Sequence, residues 1–149
     1  MNQVRQAAER RSLGFAASAV FSFILMVWLN AHSVWRPWLA GVVTDEFVDA
    51  LFALNVAFVV RIFGNLILSV TSPPAIERFL SLLFSLTAFI AVAVFYRAYP
   101  LNLARLGEPL EGLTRVFCFL MVAGASTAFL VNLVRFSGTE ETDPTLAHL

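Results

Sequence analysis

The residue in this chain best suited to unusual chemistry is Arg61. The stretch from Ala50 to Val70 holds no other formal charge, and Arg61 sits at its midpoint. If that stretch crosses a bilayer, a charge at its centre costs about 2.5–3.5 kcal/mol on insertion scales. Escape to the nearer interface is hard. Val70 lies nine residues on, about 13 Å at 1.5 Å per residue, and helical side chains lean toward the N-terminus, away from that end. Arg61 is therefore expected to face other helices, a cavity or a partner. Asn65 lies one turn along on the same face, the spacing at which helical side chains meet. At similar depth in an antiparallel bundle come Ser18 and Ser22, Ser85, and Ser126 from three other apolar stretches. Their hydroxyls can accept hydrogen bonds from a guanidinium but cannot neutralise it. Arg61, Asn65, Ser22, Ser85 and Ser126 form the expected intramembrane polar site.

Other chemistry is sparse. His32 and His148 do not offer the facing pair that axial ligation of a membrane haem needs. No group of His, Asp or Glu has metal-ligand spacing, and no cofactor is expected. Cys118 lies in an apolar run without a neighbouring base and reads as a packed residue. Serines and threonines are scattered, with no base spaced to activate one as a nucleophile, so catalysis is not expected. Net charge is zero, with all ten basic residues arginine, which leaves no basic footprint for nucleic acid.

The elements that must position Arg61 follow from composition. Hydrophobic residues make up 59% of the 149 and charged residues 13%, about half the usual charged share of a soluble domain. A fold this small keeps much of its surface exposed, so the apolar excess must meet lipid. Four stretches, roughly 13–34, 47–70, 78–97 and 112–135, meet the length of about 20 apolar residues needed to cross a hydrocarbon core. In lipid each must be a helix, since its backbone groups have no other partners. Thr44-Asp45-Glu46 reads as a cap and acids before the second stretch, and Ser72-Pro73-Pro74 as a break with a capping serine before the third. Short connections favour an up-down-up-down antiparallel bundle. The expected organisation is all-α: a four-helix transmembrane domain over residues 1–136, then an acidic, disordered tail over 137–149. Arg10-Arg11-Ser12-Leu13 has a trace of an export signal, but the apolar run after it is longer than a signal core, so a retained span is expected.

Arginines divide almost evenly between the two faces, but Arg5, Arg10 and Arg11 precede the first span, which places both termini in the cytoplasm of a multi-pass cell-membrane protein. Trp28, Trp35, Trp38, Tyr96 and Tyr99 then fall at the opposite interface. Small residues suggest packing seams at Gly14, Ala17 and Ser18, at Ser81, Ser85 and Ala88, and at Ala123, Gly124, Ser126 and Ala128. The partners expected are the lipid bilayer and either further copies of the chain or other membrane subunits. The functional expectation is a non-catalytic structural, assembly or accessory subunit of a membrane complex. The alternative is an oligomeric channel or transporter in which an anion contacts Arg61.

Overall fold

The computed structural model describes residues 2–39, 41–71, 73–103 and 107–138, and among these the chain is all-helical apart from one isolated bridge. Helix α1 spans Asn2–Asn30, α2 His32–Trp35, α3 Phe47–Val70, α4 Pro74–Ala98 and α5 Glu108–Ser137, with a 3-10 turn at Arg36–Leu39. Four segments are long and apolar enough to cross a membrane: Glu9–Asn30, Phe47–Val70, Pro74–Ala98 and Pro109–Ser137. The chain is thus a four-helix bundle of membrane-spanning type. The termini of α1 and α5 lie at one end, the terminal face, and the longer connections at the other, the loop face.

Several boundaries differ from the sequence expectation for physical reasons. The first helix stops at Asn30, and Ala31 (φ −74°, ψ 29°) turns the chain into α2. The Trp35 indole donates to the Trp28 carbonyl (2.9 Å), its ring stacks on Trp28 at 5.7 Å and meets Phe47 edge-on at 5.3 Å. The contacts of that half-buried indole favour the turn over helix continuation. At the start of α3 no side chain caps the helix: the capping position is Glu46, and Thr44 contributes its carbonyl, which accepts from the Phe47 amide at 3.3 Å. Asp45 pairs with Arg36 instead. The residue before α4 is Pro73, with Pro74 opening the helix, where its missing N–H costs no bond. Ser72 and the tail beyond Gly138 lie outside the described residues.

The order of packing is linear. Helix α1 packs on α3, α3 on α4, and α4 on α5, while among the described residues α5 does not reach α1 and α1 makes no helix-to-helix seam with α4. Ala19 and Ala50, nearly inaccessible, bring α1 and α3 close, and the Asn30 and Asn55 amides exchange hydrogen bonds of 2.6 and 2.9 Å across that seam. Gly64 lets α4 approach α3 against Phe84 and Leu80. Ser81 donates to Asn132 at 3.3 Å between α4 and α5. On the loop face Val43 bridges to Leu101, with the Thr44 amide on the Pro100 carbonyl (3.0 Å) and the Asn102 amide on the Val42 carbonyl (2.6 Å). Val43, Phe47 and Leu51 form a small core there, backed by Leu29, Trp35 and Leu101. That clasp joins the two ends of the row through their loops, whereas the helices themselves stay open.

Most of the small-residue stripe on α5 meets no neighbouring helix among the described residues. Ala123, Gly124 and Ala128 are exposed, and nothing stands within 4 Å of where a Cβ on Gly124 would be. Gly14 is likewise open. The close approach is instead at Gly64.

Candidate functional site: a polar groove around Arg61

Because α1 and α4 both flank α3 without closing over it, they leave a groove of about 510 Å³ with α3 as its floor. The floor carries Arg61, Asn65 and Leu68; α1 contributes Arg11, Phe15 and Ser18, and α4 contributes Glu77, Ser81 and Phe84. Gly14, with no side chain, keeps the α1 wall low. The groove runs from the terminal face to about mid-span.

Its electrostatics are lopsided. At the mouth Arg11 and Glu77 pair at 2.5 Å, bridging α1 to α4. Asn65 is buried, 4% exposed, and donates to the Ser18 hydroxyl at 3.1 Å. Arg61 is exposed, lines the groove, and makes no hydrogen bond or ion pair among the described residues. Among the described residues Glu77 is the only acid lining the groove, and Arg11 answers it. The groove therefore keeps one uncompensated positive charge, about 9 Å deeper than Glu77 from the helix rise and their distances to the α3–α4 turn.

The sequence-derived residues are distributed unevenly about this site. Arg61 and Asn65 share the groove, as their spacing requires. Ser22 is buried against the α1–α3 seam and donates to the Ser18 carbonyl at 2.8 Å, and Ser85 is buried in α4 and donates to the Leu82 carbonyl at 2.9 Å. Neither lines the groove. Ser126 lies on α5, which touches only α4, and donates to the Val122 carbonyl at 2.8 Å. A closed bundle would have gathered all these hydroxyls around Arg61; a row of helices separates them. Ser18, expected at this depth, does line the groove, and Arg11, Glu77 and Ser81 take the place of the other hydroxyls. The Arg11–Glu77 pairing spans 66 positions and leaves no local spacing signal.

Toward the loop face the polar lining ends. The next depression between α3 and α4, about 250 Å³, is lined by Phe52, Ala53, Val56, Thr87, Ile90 and Val94, and Asn30 and Asn55 satisfy one another. Within one chain, polar groups lead from the terminal face to Arg61 and stop. Comparison with protein families, curated proteins and solved structures finds no match to this chain.

Proposed function

We propose that this chain is a non-catalytic accessory or assembly subunit of a membrane complex, and that Arg61 receives a carboxylate from a membrane helix of a different protein. The uncompensated charge of Arg61 in an open groove carries this reading. An unpaired charge away from bulk water is costly, and a partner acid removes that cost while fixing register. A second copy of the chain is a poor donor. The acids of the described spans lie near span ends: Glu9 at the start of the first span, Asp49 in the first turn of α3, Glu77 in the first turn of α4, and Glu108 and Glu111 at the start of α5. None reaches the depth of Arg61 in a copy held in the same orientation. The groove also suits an incoming side chain rather than a whole helix, given the Arg11–Glu77 bridge across its mouth. The arginine cluster in the first turns of α1, Arg5, Arg10 and Arg11, supports a cell-membrane setting with both termini in the cytoplasm.

The test is the mass and composition of the complex extracted in mild detergent, for the natural chain and for Arg61→Leu and Arg61→Lys. A stoichiometric foreign partner is expected, retained in part by the lysine variant and lost with leucine. A leucine variant that co-purifies with the same partner in the same ratio overturns the proposal. The channel reading draws support from the polar lining between the terminal face and Arg61, and it loses support at the apolar half beyond. It requires anion flux into vesicles that disappears with Arg61→Leu.

A further inference from the structure

A second groove, of about 420 Å³, opens between the terminal-face ends of α4 and α5. Arg78 in the first turns of α4 and Arg135 in the last turn of α5 both line it. Ser81 and Asn132, hydrogen-bonded to each other at 3.3 Å, span the helices beneath them. Three arginines near the interfaces are answered by carboxylates, Arg11 by Glu77, Arg36 by Asp45 and Arg115 by Glu111, whereas Arg97 in the last turn of α4 stands apart from any second arginine in a shared groove. Arg78 and Arg135 come from different helices, converge on one cavity, and have no ion pair or hydrogen bond among the described residues. The acid nearest in the lining, Glu77, is already held by Arg11.

Two like charges brought to one cavity repel unless an anion lies between them. Both sit near the terminal-face ends of helices long and apolar enough to cross a membrane, Arg78 near the start of α4 and Arg135 near the end of α5, the depth of lipid phosphates. Guanidinium groups match phosphate oxygens with paired N–H donors, and basic pockets between membrane helices are a known way of holding anionic headgroups. We propose that this groove binds the phosphodiester of an anionic membrane lipid, with Arg78 and Arg135 on the phosphate and Asn132 and Ser81 offering hydrogen bonds to the polar headgroup. This site shares Glu77 and Ser81 with the Arg61 groove but has its own two arginines, and it does not depend on the role of Arg61. Free inorganic phosphate shares the chemistry but lacks the chains that keep a lipid at this depth.

The experiment uses the full chain, purified in mild detergent and depleted of lipid. Phosphatidylglycerol or phosphatidylcholine is added at equal concentration, and bound lipid is read by native mass spectrometry. One phosphatidylglycerol per chain is expected, with at least tenfold weaker retention of phosphatidylcholine. Arg78→Gln and Arg135→Gln should each lower phosphatidylglycerol affinity about tenfold, while Arg97→Gln, outside the groove, leaves it unchanged. Thermal unfolding in phosphatidylcholine checks that the variants fold, and Asn132→Ala supplies a neutral change in the same groove, expected to lower affinity. Equal retention of both lipids, no loss in either arginine variant, or equal loss in Arg97→Gln overturns the proposal. So does displacement of the lipid by inorganic phosphate at similar concentration, which would assign the groove to the free ion.

Discussion

Gly64 is the closest point of the α3–α4 seam and gives the most direct test of the packing. A Cβ placed there would stand 2.4 Å from two ring carbons of Phe84 and 3.3 Å from a methyl of Leu80. Carbon atoms in contact prefer about 3.5–4.0 Å, so the Phe84 ring must retreat by more than about 1 Å. Over-filling of this kind costs about 1–3 kcal/mol. Against it, alanine is a better helix former than glycine by about 1 kcal/mol. Gly64→Ala should therefore destabilise the chain by up to about 2 kcal/mol, the difference of those terms. Phe84→Ala removes both clashing carbons, and the Leu80 methyl needs to move only a few tenths of an ångström. In that background the sign should reverse, with Gly64→Ala stabilising by up to about 1 kcal/mol. The coupling between the sites would then be about 1–3 kcal/mol, within the range for residues in contact. Reversible unfolding in mixed micelles, run on the four members of the cycle, reads this directly. If Gly64→Ala has the same effect with and without the Phe84 ring, the seam is not where this packing puts it.

Three further outcomes follow from named contacts. Isolated α3 carrying Arg61→Leu should insert more favourably than the natural helix by about 3–4 kcal/mol in a translocon insertion assay; equal insertion would mean that Arg61 does not occupy the middle of the span. A cycle of Asn30→Leu and Asn55→Leu should show a coupling of about 0.6 kcal/mol, and no more than about 1.7, measured by unfolding in detergent; no coupling would separate these helices at the loop end. Cys118 is 5% exposed and α5 touches only α4, so its thiol should resist a polar maleimide until the chain is unfolded. Rapid labelling of the folded protein would place that face of α5 outward.

The spans were legible because they rest on a single physical demand. A run of apolar residues long enough to cross hydrocarbon must pair its own backbone groups, and that demand is local to each segment. The Arg61–Asn65 pairing on one face was legible for the same reason, since helical spacing fixes it. What sequence could not convey was how the helices neighbour one another. Short connections limit which helices follow each other antiparallel, but they do not say whether the last helix returns to the first. A closed bundle brings Ser126 toward Arg61; the row of helices keeps α5 away from it. The seam glycine was equally obscure. Gly14 and Gly124 carry the same kind of small-residue signal as Gly64, yet only Gly64 meets a neighbouring helix, and composition alone does not distinguish a glycine facing lipid from one facing a ring.

The open row also explains how a central arginine and a stable protomer coexist. Closing the bundle over α3 would strip water from Arg61 while supplying only hydroxyls, which satisfy hydrogen bonds but leave the charge uncompensated. Leaving α1 and α4 apart keeps the guanidinium in a groove that continues to the terminal face, where water or a partner can reach it. The clasp between Val43 and Leu101 and the Arg11–Glu77 bridge tie the row together at both ends, so the groove persists without a seam along its length. The cost of the arginine is then deferred to the encounter with a partner: a helix bearing a carboxylate at that depth gains a charge-paired contact, whereas one without it must bury an unanswered charge. Discrimination between those two helices comes from the penalty as much as from the attraction. An apolar residue at position 61 would stabilise the isolated chain and remove that discrimination.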